Sequence, residues 1–154
     1  MKKLLILFLF AGLVFSTTSC KKKTCPEPEK PKGIGTWKVS SVKYDDGAPI
    51  TDPSESACLS NDVLVLGEDQ KSGSWTWAYY LENSSTCGSL DLQIVSWAEN
   101  FEKKKLYISE SDGTNVYDDA FDFIDETHIK QTRVAGINAS GTAYIIMEFQ
   151  YEKQ

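Results

Sequence analysis

Beyond residue 35 the chain is written in short runs of alternating apolar and polar residues, broken by turn signals. Thr36–Tyr44 opens the series, with Trp37 and Val39 on one face and Lys38 and Ser40 on the other. Asp45-Asp46-Gly47 reads as a turn. A long loop, 48–61, carries Pro49, Pro53 and Cys58 before the short apolar strand Val63–Leu66. Ser74–Leu81 follows, placing Trp75, Trp77 and Tyr79 on one face. Leu90–Val95 begins a fourth strand, with Trp97 beyond a break in its phase. Leu106–Ser109, Val116–Ile124, Thr127–Val134 and Thr142–Tyr151 complete eight strands; in the last, Ile145, Met147 and Phe149 share a face. No window outside the first 19 residues has a helical period. The pattern predicts an all-β domain over residues 34–154, an eight-stranded antiparallel up-and-down barrel with no C-terminal helix. Eight strands close around an interior wide enough for side chains or one small ligand, and closure removes exposed edges.

The first 33 residues have a different character. Met1-Lys2-Lys3 precedes an unbroken apolar run, Leu4–Phe15, too short for a bilayer span of about 20 residues. Ser16-Thr17-Thr18-Ser19 then leads into Cys20. Small residues before a cysteine at this place resemble the lipobox of bacterial lipoproteins. The resemblance implies a signal peptide over residues 1–19 and cleavage before Cys20. It also implies lipid attachment to Cys20, whose thiol and amine would carry chains such as palmitate. Several acyl chains anchor stably where one binds marginally. Residues 20–33, rich in Lys and Pro, read as an extended tether at about 3 Å per residue. Lysines, not acidic residues, follow Cys20. The address expected is therefore the cell envelope, an outer-membrane anchor facing the periplasm, with the membrane as first partner.

Charge narrows the function. Removing Lys2 and Lys3 with the leader leaves 14 basic against 22 acidic residues, a net −8, which argues against nucleic acid. Cys58 and Cys87 flank strands two and three and are expected to form a disulfide closing about 30 residues. Cys25 is left over in the tether. There is no C-x-x-C and only one histidine, His128, so no metal site is expected. The acidic residues from Asp118 to Glu126 lack the calcium-loop spacing and read as a solvated face. No phosphate loop, nucleophile elbow or paired glycosidase carboxylates stand out, so neither an enzyme nor a cofactor is expected.

Gly35-Thr36-Trp37 at the first strand resembles the G-x-W start of lipocalins. The order lipobox, G-T-W-K, Cys58, Asn61-Asp62 and Cys87 is similar to that of short lipocalin-like lipoproteins of Bacteroidetes-type bacteria. The chain lacks the midway T-D-Y motif of lipocalins. The resemblance implies a barrel with a hydrophobic cavity and a basic residue packed on the tryptophan, for which Arg133 and Lys153 are the candidates. The candidate ligand-lining residues are Trp37, Trp75, Trp77, Tyr79, Ile145, Met147 and Phe149. The leading expectation is a small hydrophobic or amphipathic ligand, gated by the Pro49–Cys58 loop. The alternative is a filled barrel that serves as a structural module meeting a protein or glycan partner.

Overall fold

A computed structural model describes residues 30–82, 84–138 and 140–154. The signal peptide, Cys20, Cys25 and the tether up to residue 29 lie outside the described residues. The elements are β1 (Gly35–Tyr44), α1 (Pro53–Leu59), β2 (Val63–Leu66), β3 (Gly73–Leu81), β4 (Thr86–Asn100), β5 (Lys105–Ser111), β6 (Val116–Phe123), β7 (His128–Ile137) and β8 (Tyr144–Lys153). The eight strands form a closed antiparallel barrel in sequence order, β8 pairing back onto β1. That is the fold expected from alternation and turn spacing.

Three details differ from the expected boundaries, each for a local reason. The loop 48–61 contains the helix α1. Asp52 caps it, its carboxylate accepting from Ser54 N at 2.7 Å, and Pro53 sits in the first turn. Seven residues are too few to show a helical period, so only the cap signals it. Strand β4 spans 15 residues, and Cys87 lies on it rather than in a loop. A register shift between Ile94 and Ser96 restores Trp97 to the interior, which accounts for the phase break. A similar shift between Val134 and Gly136 lets β7 run three residues past its expected end.

The barrel is not evenly round. β6 pairs with β7 only at Asp122–Lys130 and Phe123–Ile129. Beyond those pairs β7 leaves β6 and crosses to β3, making parallel pairs Tyr80–Gly136 and Leu81–Ile137. Gly136 permits this approach, because a Cβ there would lie 2.2 Å from the Tyr80 carbonyl oxygen. The crossing divides the helix-bearing end in two. On one side, α1 seals the space with the buried Cys58 and Leu59. On the other, a cleft opens between β6 and β7.

Toward the opposite end the barrel interior is filled by side chains. Trp37, Leu66, Leu106, Phe121, Ile129 and Tyr151 are all buried there or at mid-height. The last residues of the expected tether are held against this end. Trp37 Nε1 donates to Gly33 O at 2.8 Å, Gly33 N donates to Glu99, and Lys32 pairs with Glu126. Lys153 Nζ donates to Lys32 O at 2.9 Å and sits 5.4 Å from the centroid of Trp37. Of the two basic candidates, Lys153 is therefore the one packed on Trp37.

Candidate functional site

The cleft is built by strand alternation. Trp75 and Trp77 project from the same face of β3, and their cross-strand partners on β4 are Leu92 and Leu90. Glu110 of β5 faces Tyr117 of β6, and one step further along the ladder Ile108 faces Asp119. Arg133 enters from β7. All of these except Ile108, together with Asp112 of the β5–β6 turn, wall a cavity of about 290 Å³. Most of the wall is aromatic or aliphatic. Leu90 and Tyr117, 43% and 46% exposed, mark its mouth.

One buried carboxylate organises the polar side. Asp62, fully buried, accepts from Trp75 Nε1 at 2.7 Å and Tyr151 OH at 2.9 Å through Oδ1. Its Oδ2 accepts from Ala78 N at 2.9 Å and from Arg133 Nη2. Burial raises the Tyr151 hydroxyl well above its ordinary range, so it stays a donor. Arg133 is stacked over Phe149, 4.0 Å from ring centre to guanidinium carbon, and lies 5.0 and 5.3 Å from the Trp75 and Trp77 rings. Its Nε and Nη1 have no hydrogen-bond partner among the described residues, nor does Trp77 Nε1. The ring faces partly replace the missing acceptors for the guanidinium.

The facing wall is acidic. Glu110 is only 2% exposed, and burial, followed by a hydrogen bond to Asp119 and the Asp119 charge, pushes its carboxyl up to about 8. Glu110 is thus protonated at neutral pH, and its Oε2 has no partner. Gln131 Nε2 donates to Asp119 at 2.6 Å, while Gln131 Oε1 is also unpartnered. Asp112 is held ionised by the N–H groups of Asn115 and Thr114, and it accepts from Tyr117 OH at 3.1 Å.

Of the residues singled out in the sequence, Trp75 and Trp77 line this cavity. Trp37 and Met147 belong to the packed core, Phe149 lies beneath Arg133, and Ile145 is half-buried against the core. Tyr79 covers Gly88, where a Cβ would fall 2.3 Å from its ring. None of these five is among the lining residues. The 49–58 loop contributes no lining residue either; α1 packs on β1, β3 and the start of β4. Cys58 and Cys87 form the expected disulfide, which ties α1 to β4. The lining residues that the sequence did not single out are Leu90, Leu92, Glu110, Asp112, Tyr117, Asp119 and Arg133. Arg133 was noted only as a possible partner of Trp37. Glu110 carried one signal, a carboxylate on the core phase of a strand beside Leu106 and Ile108.

Elsewhere the acidic residues between 118 and 126 have partners of their own. Asp118 accepts from Ser109, Asp122 pairs with Lys105, and Asp125 accepts from Thr127 and contacts His128. No group of three His, Cys, Asp or Glu among the described residues is arranged to hold a metal. No helix among them is long and apolar enough to cross a membrane. No protein-family model matches the chain, and no curated protein matches it significantly.

Proposed function

We propose that this chain is a lipid-anchored, lipocalin-like, non-enzymatic protein of the cell envelope that holds one small amphipathic molecule in the cleft between β6 and β7. The observation that carries the reading is the cavity of about 290 Å³ walled by Trp75, Trp77, Leu90 and Leu92 at the point where the barrel wall parts. Sites for small molecules are concave, mostly apolar and furnished with a few converging polar groups. Here those groups are Arg133, Glu110 and Asp119. The volume is about ten times a water molecule's share of the liquid, which suits a compact ligand. The leader and Cys20 supply the anchor in this reading, and Lys32 and Gly33 are held at the packed end. The cleft then sits toward the end away from the membrane.

Titration of tryptophan emission with small apolar and amphipathic probes tests the proposal, alongside native mass spectrometry of the protein as purified. Saturable change, abolished by Trp77→Ala together with Leu90→Asp, is the expected result. No change with any probe would overturn it. The packed end of the barrel and the exposed Val116 and Tyr144 would then favour an envelope interaction module.

A further inference from the structure

The charges that wall the cleft can be paired one by one. The positive charge of Arg133 is matched by Asp62, and its faces are occupied by Phe149 and the two tryptophans. Asp112 and Asp119 have no cation against them among the described residues; their partners are neutral N–H, hydroxyl and amide donors. The wall opposite Arg133 therefore carries uncompensated negative charge. It also carries an unmet acceptor: Glu110, 98% buried by its 2% exposure, presents Oε2 without a donor. An unpaired buried acceptor costs free energy until a donor reaches it. The unpartnered donors of the site are Arg133 Nε and Nη1 and the Trp77 indole Nε1; the guanidinium lies among aromatic rings whose negative faces compensate it in part, and the indole N–H is neutral. The acceptors have no such substitute.

Granting that the cleft is a ligand site as proposed above, we infer that it takes a small amphiphile ending in an amine, whose N–H groups meet Glu110 and Asp119 while its apolar body lies against Trp75, Trp77, Leu90 and Leu92. A ligand ending in a carboxylate meets like charge at Asp119 and Asp112 and offers Glu110 Oε2 no donor. The site thus discriminates by headgroup charge, and an anionic fatty chain is the ligand it turns away.

Three probes that share an eight-carbon chain separate these outcomes: octylamine, 1-octanol and octanoate. Each is titrated at pH 7 into the unacylated mature chain, residues 20–154, which contains the whole closed barrel, with tryptophan emission and calorimetry as readouts. Octylamine is expected to bind about tenfold more tightly than octanoate, with octanol between them. Asp119→Asn is expected to bring amine and carboxylate within about threefold of each other. Glu110→Met, which keeps the length but removes the acceptor, provides a second variant should the first unfold, and it is expected to weaken octylamine selectively. Octanoate binding as tightly as octylamine overturns the headgroup inference and leaves the ligand site standing. Failure of all three probes to bind overturns the ligand site, and the inference with it.

Discussion

Replacing Asp62 with Asn tests whether the Asp62–Arg133 pair is the pivot of the site. The change keeps size and shape but removes the charge. Asp62 uses both oxygens, Oδ1 for Trp75 and Tyr151, Oδ2 for Ala78 and Arg133. An Asn has one carbonyl oxygen, so its NH2 must face two former donors. If it faces Ala78 N and Arg133, both lose their acceptor. If it faces the other pair, Tyr151 OH can turn to accept, but Trp75 Nε1 cannot. In either arrangement the Arg133 side chain, 7% exposed, is left charged with no counter-ion. Breaking a buried pair from one side costs about 3–5 kcal/mol. Asp62→Asn is expected near about 4 kcal/mol, and Arg133→Met near about 3, since Asp62 retains three donors. The double variant is expected at about 4 rather than the additive 7 or so, a coupling of about 3 kcal/mol. Urea unfolding followed by tryptophan emission measures all three. A loss of 4 kcal/mol moves the midpoint by roughly 2 M at a slope of about 2 kcal/mol/M. Additivity within about 0.5 kcal/mol would refute the pairing as the origin of the effect.

Three further outcomes are expected. Glu110 keeps its proton to about pH 8 in the fold but releases it near its ordinary 4.5 when unfolded, so the folded state holds the extra proton between those values. Stability should therefore fall as pH rises from 4.5 to 8, by up to about 1.4 kcal/mol per unit from this group. Comparing thermal midpoints of wild type and Glu110→Gln across that range isolates it; equal slopes in both would show that Glu110 does not carry the proton. Removing the Cys58–Cys87 bond by Cys58→Ser with Cys87→Ser should cost about 3.5 kcal/mol on the chain-entropy model, read from urea midpoints without reductant. A loss below about 1 kcal/mol would mean that α1 and β4 hold each other without it. Cys20→Ala should move the protein from the membrane fraction to the periplasmic fraction, and retention in the membrane would refute lipid anchoring.

The barrel was legible because strand alternation and turn chemistry are local. Trp75, Trp77 and Tyr79 must share a face at a period of two whatever surrounds them, and Asp45-Asp46-Gly47 must turn. The disulfide was legible for a related reason: once strands two and three pair, their flanking cysteines are brought together. The helix α1 was not, because about two turns are shorter than the window in which a helical period shows. Trp97 looked out of phase because a bulge is a property of two paired strands, not of one.

The cleft belongs to the second class. Nothing in the run Thr127–Val134 states that β7 will abandon β6 and cross to β3; that depends on Gly136 meeting the Tyr80 carbonyl from 56 residues away. The same crossing brings Arg133 to Asp62, 71 residues distant in the chain, and leaves Glu110 facing a space rather than a packed core. The sequence by itself determined which residues share a strand face and where the chain turns, because these follow from neighbours within a few residues. Tertiary structure alone decided which aromatic residues fill the core and which wall a cavity. Closure of the barrel brings distant strands into contact, and whether they meet or part is a long-range balance of packing and hydrogen bonding.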